Sequence, residues 1–516
     1  MESDGAARPI APSRSTVSIS LMTPVVPASR KSAHDELGDL SPEEFARHAA
    51  VLAHWITEYL STPERYPVLS RLAPGELRRA LPTAAPDAEE SLETILADID
   101  RVIMPGVTHW NHPGFLAYFA NTASVPGILG EMLIAALNQV GILWRTSPAL
   151  AELEETTTGW LRDAMGLPPD WFGMLTDTAS VSTLQALAAA REMDPALQIR
   201  HRGMAGRADL PRLRIYCSEH AHSSVDKAAI TLGIGTENVV RIAADDRFRM
   251  RLDALERAIA TDRAAGFRPL AVIATLGSTS TTSVDPIAGI ATVCRRESLW
   301  LHADAAYGGP LMLLPERRAL FAGVEHADSM VVNAHKWLFT PMDCSVLWTR
   351  HPRVLKRTFA LTPAYLETEE QGVALSYSDY SFQLGRRFRA LKLWFVMRAF
   401  GVSGLAARIR QHCALATSFA DWVRASPGWE VVAPVEMSVV CFRSTPAGLA
   451  GDEQALADHN SRILDHVNAS GRVFLSHTRL GDRYVLRVAI GNLRTQAQHL
   501  ADAWHLLQEG AAAVTV

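Results

Sequence analysis

Short, almost uninterrupted apolar runs recur through the middle of the chain, and segments with helical spacing separate them. The runs are RIYC (214–217), LAVIATLG (270–277), LWLHADAAYG (299–308), DSMVVNAHKW (328–337) and DCSVLWTR (343–350). Helical patterns follow the first two, in AHSSVDKAAITLG and DPIAGIATVCRR. Continuous apolar strands are typical of a parallel sheet that helices cover on both faces. We therefore predict an α/β fold with a mostly parallel sheet and a ligand where the strands end.

The chain has 516 residues, enough for more than one domain. Residues 1–35 are rich in Ser, Pro, Ala and Arg and are expected to form a disordered tail. A helical N-terminal domain is expected over 36–124, and its first helix begins with a capping box of Ser41 and Glu44. A large α/β domain over 125–393 and a small C-terminal α+β domain over 394–516 complete the predicted organisation.

Composition narrows the possible partners. The formal net charge is −5, so no general attraction to nucleic acid or to an anionic membrane is expected. Five cysteines lie far apart without a C-x-x-C pair, which argues against a disulfide framework and favours a reducing, cytoplasmic location. The apolar stretch at 125–144 carries Glu131 and is expected to be a buried helix rather than a membrane span.

Lys336 is the residue that most limits the chemistry. It follows the apolar strand ending at Asn333 and adjoins Trp337, although lysine is seldom buried. Such a lysine either extends its ammonium into water or is desolvated for carbonyl chemistry, as in a Schiff base with pyridoxal phosphate. Asp304 ends the preceding apolar strand, where a carboxylate can cap a helix, bind a metal or pair with a pyridinium nitrogen.

The small residues Thr178-Ala179-Ser180, two of which carry hydroxyls, precede a strong helical pattern. Hydroxyls and free amides at a helix N-terminus suit a phosphate group. Asn333 is a further candidate for the phosphate.

Two other polar clusters have simpler explanations. His220 and His222 could form a metal pair, but no third ligand follows at a recognised spacing, so no metal is predicted. A histidine stacked on an aromatic cofactor is the better role for one of the two. The basic run 386–389 is expected to be a solvated helix start.

The segments NAHKW, HADAAYGG, AHSSVDKAA, ATLGSTST and LGRRFRALKLWF together resemble the group II pyridoxal-phosphate-dependent amino-acid decarboxylases, the aromatic-L-amino-acid decarboxylase family. The resemblance covers nearly the whole chain from about residue 36 onward. It implies the type I aminotransferase-like fold, with a mostly parallel seven-stranded central sheet. It also implies a homodimer whose active sites are shared between the subunits.

The resemblance further implies pyridoxal 5′-phosphate (PLP) as the cofactor, bound covalently by Lys336. Asp304 would pair with the pyridine nitrogen, while His222 and Ala306 would cover the two faces of the ring. The other cofactor-binding residues implied in this way are Thr178, Ala179, Ser180, Thr279, Asn333 and His335.

Tyr365 lies in a polar segment without clear periodicity. The resemblance places it on a loop that closes over the substrate, where tyrosine supports simple decarboxylation. Relatives with phenylalanine there carry out an oxygen-dependent conversion to an aldehyde. With Lys336, His222 and Asp304 as the other catalytic residues, an amine product is predicted.

The resemblance also implies an apolar substrate pocket, with Val140 and Ile142 supplied by the partner subunit. Its members are Trp110, Tyr118, Phe119, Asn121, Val140, Ile142 and His222. This lining favours an aromatic side chain over a carboxylate, which would be left unpaired. The chain departs from animal relatives at Ala120, Asn121 and Ile142, and smaller neighbours could admit an indole. Tryptophan or 5-hydroxytryptophan is therefore a hypothesis, with phenylalanine, tyrosine and DOPA as the other aromatic candidates.

Several alternatives stay open at this point. They are a decarboxylase of histidine or glutamate, an aromatic aldehyde synthase or aminotransferase on the same scaffold, and a catalytically silent cofactor-binding protein. Tyr365 disfavours the aldehyde synthase, and the joint presence of Lys336, Asp304 and His222 disfavours the silent protein.

Overall fold

The computed structural model describes residues 39–361, 369 and 373–514. The chain divides into two compact units, Met1–Glu58 and Tyr59–Val516. The predicted tail at 1–35 and Tyr365 lie outside the described residues. The domain boundaries predicted at residues 124 and 393 stay a prediction.

The first unit contains most of helix α1 (Pro42–Ser61). Its start is the predicted capping box: Ser41 Oγ accepts from the Glu44 amide at 3.2 Å, and Glu44 Oε2 accepts from the Ser41 amide at 3.1 Å. No residue of α1 is buried, and Phe45 is 65% exposed.

The described residues of the second unit form eleven strands and fourteen further α-helices, in the following order. They are α2 (Glu76–Ala80), α3 (Leu92–Asp98), α4 (Val125–Leu137), α5 (Pro148–Met165), β1 (Phe172–Thr176), α6 (Ala179–Glu192), α7 (Ile199–Arg202), β2 (Leu213–Ser218), α8 (Ser224–Thr231), β3 (Val239–Ile242), α9 (Leu252–Ala264), β4 (Arg268–Thr275), α10 (Ile287–Glu297), β5 (Trp300–Asp304), β6 (Ser329–Asn333), α11 (Ala334–Trp337), β7 (Ser345–Thr349), α12 (Pro352–Phe359), α13 (Arg389–Ala425), β8 (Trp429–Val431), β9 (Val439–Ser444), α14 (Glu453–Ala469), β10 (Ser476–Leu480), β11 (Arg483–Ala489) and α15 (Ala497–Val514).

The large sheet has seven strands in the order β1-β7-β6-β5-β4-β2-β3. Every neighbouring pair is parallel except the two that involve β7, which runs antiparallel to β1 and to β6. Consecutive residues of β4 face opposite sides of the sheet, since Val272 packs in one apolar cluster and Ile273 in another. Both faces are thus buried, and the predicted mostly parallel α/β sheet is confirmed.

The small sheet has four antiparallel strands in the order β10-β11-β9-β8. Helices α14 and α15 pack on it through a separate apolar cluster that includes Val488 and Leu507. This part of the chain is the predicted α+β arrangement.

Helix α4 corrects one expectation. Only Gly127, Gly130 and Ile134 are buried, whereas several large apolar residues are about half exposed. These exposed residues are Val125, Leu129, Met132, Leu133 and Leu137. The apolar stretch is therefore not a buried helix within the single chain.

Helix α13 is the one helix in the described part of the chain that is long and apolar enough, by length and composition, to cross a membrane. Its backbone leaves helical geometry at Gly401, where φ is 63°. Leu393 and Ile409, on either side of that break, are buried in the main apolar cluster. The helix packs like a core element.

Candidate active site

Asp304 and Lys336 meet at one edge of the large sheet. Asp304 is the last residue of β5, and Lys336 lies in the single turn α11 that directly follows the parallel strand β6. The carboxyl ends of neighbouring parallel strands lie at the same edge of a sheet. Asp304 is buried, and its Oδ1 accepts a hydrogen bond from the Ala306 amide at 3.2 Å. Two distant sequence candidates are thus brought to one site.

The surroundings of the Lys336 amine shift its protonation equilibrium towards the neutral form. Burial lowers its pKa below the ordinary 10.5; Asp304 opposes this shift and the Arg487 guanidinium adds to it. The Phe119 ring centroid lies 5.2 Å from Nζ. A neutral amine is the form that attacks a carbonyl carbon, so this environment suits covalent capture of an aldehyde.

His222 follows β2 and adjoins the same site. Its Nδ1 accepts a hydrogen bond from the Ser224 amide at 3.1 Å, so the neutral ring carries its proton on Nε2. Burial lowers the pKa of His222; Asp304 opposes that shift and Lys336 adds to it. His220 instead packs edge-on against Phe248, with ring centroids 5.6 Å apart. The two histidines therefore have different surroundings.

The start of α6 supplies donors for an anion. Thr178 precedes the helix, and Ala179 and Ser180 occupy its first turn, where amides have no partner within the helix. Asn333, at the end of β6, has a buried Oδ1 without a hydrogen-bond partner, and its carboxamide can present either the oxygen or the nitrogen. These groups fit the phosphate of PLP, as Lys336 and Asp304 fit its aldehyde and pyridine nitrogen. Thr279 lies exposed in the loop after β4.

His335 fixes the segment that carries Lys336. Its amide donates to the Cys344 carbonyl at 3.1 Å, and its Nδ1 accepts from the Cys344 amide at 3.0 Å. Burial lowers the pKa of His335 to about 4, so the ring is a neutral acceptor at physiological pH. This pair of bonds ties α11 to the start of β7.

Aromatic residues line one side of the site. Phe119 is buried beside Lys336 and stacks on Tyr307, with ring centroids 3.7 Å apart. Trp110 and Tyr118 stack at 6.3 Å. The buried Asn121 Oδ1 has no hydrogen-bond partner. Val140 is 52% exposed just beyond α4, and Ile142 is half-buried near it.

Sequence reasoning missed Arg487, on β11 of the small sheet. Its Nε donates to the Ser280 carbonyl at 3.0 Å and its Nη1 to the Tyr118 carbonyl at 2.6 Å, while its buried Nη2 has no partner among the described residues. Its Cζ lies 4.8 Å from the Phe119 ring centroid. An arginine inside the apolar strand RYVLRVA was the available signal, of the same kind that drew attention to Lys336.

The basic run at 386–389 also needs correction, because two of its arginines are buried rather than solvated. Arg386 pairs with Glu154 in the core, and Arg389 makes two 3.0 Å bonds to Asp343. Burial of these charges is tolerated because each has a carboxylate partner. The segment therefore fastens α13 to α5 and to the chain that leads into β7.

Comparisons with known proteins identify the family of the chain. The family described as "Pyridoxal-dependent decarboxylase conserved domain" matches residues 74–445. The chain belongs to this family. It is a PLP-dependent carboxy-lyase with the fold that the resemblance implied.

Individual relatives are similar over nearly their full lengths. Tyrosine decarboxylase 4 of Petroselinum crispum is 40% identical over 499 residues, covering 94% of this chain and 97% of that protein. A phenylacetaldehyde synthase of a Rosa hybrid cultivar is 38% identical over 490 residues, covering 92% and 95%. The crystal structure of Catharanthus roseus tryptophan decarboxylase with L-tryptophan gives a TM-score of 0.86 at 35% identity, covering 93% of this chain and all of that one.

Proposed function

We propose that this decarboxylase converts an aromatic L-amino acid to the corresponding amine and CO2. The observation that carries the proposal is the Lys336 amine with a lowered pKa, set between Asp304 and the Phe119 ring. Relatives that are named tyrosine and tryptophan decarboxylases support an aromatic substrate.

PLP, when bound, accepts the electrons of the bond that breaks at Cα. Lys336 would hold it covalently, and the carboxylate of Asp304 would keep its pyridine nitrogen protonated. The amides of Ala179 and Ser180, with Thr178 and Asn333, would hold its phosphate. His222 and Ala306 would flank its ring, and His335 keeps the turn that carries Lys336 in place.

Arg487 is the group best suited to the substrate carboxylate. Two of its nitrogens are fixed by backbone carbonyls, which leaves Nη2 as a buried donor without a partner. An anion beside it satisfies that donor and is oriented by it. Orientation matters because only a bond held perpendicular to the cofactor ring is weakened.

The substrate side chain would lie among Trp110, Tyr118 and Phe119. Aromatic walls favour a ring over the side-chain carboxylate of glutamate, because Arg487 would already be occupied by the α-carboxylate. Tryptophan or 5-hydroxytryptophan is our first choice, on the hypothesis that the residues at 120, 121 and 142, which differ from those of animal relatives, would admit an indole.

A homodimer with shared active sites completes the proposal. The exposed apolar residues of α4 and the exposed Val140 form a continuous stretch of chain that a second copy could cover. Val140 and Ile142 would then reach the partner's substrate pocket. A cytoplasmic location suits the five cysteines, all of which are unpaired.

The direct test uses the purified holoenzyme with all proteinogenic amino acids, DOPA and 5-hydroxytryptophan, while CO2, amine and hydrogen peroxide are measured together. We expect one aromatic substrate class to release CO2 and amine in equal amounts. A much higher kcat/KM for DOPA than for tryptophan would contradict the indole hypothesis, and exclusive use of glutamate or histidine would contradict the aromatic one.

An aromatic aldehyde synthase is the second candidate, because a phenylacetaldehyde synthase is among the similar proteins. Tyr365 favours the amine product by resemblance. Tyr365→Phe should therefore increase aldehyde and peroxide at the expense of amine. If the product ratio does not change, Tyr365 does not have this role.

A further inference from the structure

A cleft with a volume of about 480 Å³ lies at the opposite edge of the large sheet from Lys336. The last turns of α6 and α10 and the first residues of β4 and β5 form its walls. Trp300 lines the cleft, and Asp304 ends the same strand four residues later, a rise of roughly 13 Å. The cleft is therefore separate from the active site, although β5 takes part in both.

The floor of the cleft is apolar and includes an indole. Leu270, Leu299 and Trp300 line it and are each less than 9% exposed. The indole nitrogen already donates to Ser329 Oγ at 2.9 Å, so the ring offers the cleft an apolar surface. Such a floor with a few polar groups is typical of small-molecule sites, and so is the volume.

The carboxylates around the cleft already have partners. Asp194 pairs with Arg268 and accepts from the Ala196 amide at 2.9 Å. Asp328 accepts from the Leu301 amide at 2.7 Å and lies 2.7 Å from His351 Nε2. Neither acid is left to compensate a further cation.

Two arginines of the cleft lack such compensation. Within residues 39–361, 369 and 373–514, no carboxylate lies within ion-pair distance of Arg295 or Arg350. Arg350 makes one weak side-chain bond, from Nη1 to the His326 carbonyl at 3.4 Å. The polar part of the cleft therefore carries uncompensated positive charge beside an apolar floor.

We propose that the cleft binds a small aromatic carboxylate, with its ring on the apolar floor and its carboxylate at Arg295 and Arg350. Guanidinium groups bind carboxylates through paired charged hydrogen bonds, and stacked rings add to the affinity. An aromatic amine lacks the anion and would meet two cations. The site thus differs in ligand charge from the amine product of the active site, and it does not depend on the substrate of that site.

The test is calorimetric titration of the holoenzyme with trans-cinnamate, with cinnamamide as the neutral probe of the same shape. We expect the wild-type cleft to bind cinnamate and the Arg295→Ala/Arg350→Ala variant to bind it at least tenfold more weakly. Cinnamamide should bind the wild type no more tightly than it binds this variant. The matched control is Arg263→Ala/Arg296→Ala, which removes two exposed arginines of α9 and α10 that do not line the cleft.

A second measurement does not depend on any variant. A crystal of the holoenzyme soaked with 4-iodocinnamate should give anomalous iodine signal beside Trp300. Signal confined to the region of Lys336, or cinnamate and cinnamamide binding with equal affinity, would overturn the proposal. An unchanged cinnamate isotherm in the Arg295→Ala/Arg350→Ala variant would do so as well.

Discussion

Two lysines of the second unit, Lys336 half-buried and Lys392 fully buried, lie in different surroundings. Lys392, on α13, is fully buried, with Nζ 2.9 Å from Glu131 and 3.9 Å from Asp343. In the described part of the chain, no carboxylate lies within ion-pair distance of Lys336, whose amine faces the Phe119 ring and the charge of Arg487. Pairing compensates the buried charge of one lysine, whereas the other is poised to lose its proton.

The difference separates a structural cation from a nucleophile. A buried ion pair costs free energy when one partner is removed, but it has little chemical reactivity. An uncompensated buried amine is reactive because its ammonium form is disfavoured. The two lysines are therefore distinguished by whether a carboxylate partner is present. Only the structure reveals this difference.

The largest effect is expected from removing the nucleophile. Lys336→Ala should lower kcat by roughly 10³-fold or more, because both the covalent attachment and an acid–base group are lost. Borohydride reduction of the wild-type holoenzyme, followed by peptide mapping, should label Lys336 alone. Label on Lys392 would reverse the assignment of the two lysines.

Arg487→Met should lower kcat/KM by about 10- to 100-fold, the usual range for a hydrogen bond between charged groups. Affinity for the amide of the same amino acid, which has no carboxylate, should stay within about twofold of the wild-type value. Arg479→Met is the control, since Arg479 lies exposed on the neighbouring strand β10. Equal losses for the amide and the acid would contradict a carboxylate role.

Lys392→Met should lower the free energy of unfolding by about 3 kcal/mol, because Glu131 and Asp343 lose a fully buried partner. Lys356→Met provides the comparison: the Lys356–Asp379 pair spans 2.8 Å but the lysine side chain is 48% exposed, so a loss of at most about 1 kcal/mol is expected. Urea unfolding measures both, and the folded Lys392→Met enzyme should keep its cofactor. Loss of the cofactor from the folded variant would show that Lys392 serves the active site.

The smallest effect is a dependence of apoprotein stability on pH. Because the pKa of Lys336 is lower in the folded chain than its ordinary 10.5, the unfolded chain binds more protons between those two values. Stability should therefore rise with pH across that window, by up to about 1.4 kcal/mol for each unit between the two pKa values. The difference in unfolding free energy between wild type and Lys336→Met, measured from pH 7 to 10, should show this slope. A difference independent of pH would mean that the folded amine is not desolvated.

The sequence predicts the architecture of the large sheet and the location of Lys336 and Asp304 at one site. Both follow from local signals, since apolar runs define buried strands and the polar residue at each strand end marks the carboxyl edge. The start of α6 could be predicted from a local signal as well, because small hydroxyl residues before a helical pattern indicate a helix N-terminus.

Other features depend on contacts between distant segments. The antiparallel direction of β7 is not encoded in its apolar run, which reads like those of the parallel strands. The sequence suggests that Arg386 and Arg389 are solvated, because their partners Glu154 and Asp343 are distant along the chain. Helix α4 was misjudged because an apolar pattern indicates burial without telling which chain provides the cover.

The attachment of Arg487 to Tyr118 and Ser280 has a consequence for biosynthesis. A nascent chain in which β11 has not yet been synthesised already carries His222, Asp304 and Lys336. It still lacks the Arg487 guanidinium, which binds the Tyr118 and Ser280 carbonyls. Vectorial synthesis therefore supplies the nucleophile long before the last piece of its pocket. Substrate turnover by an incomplete polypeptide is disfavoured because β11 follows the other active-site residues in the sequence.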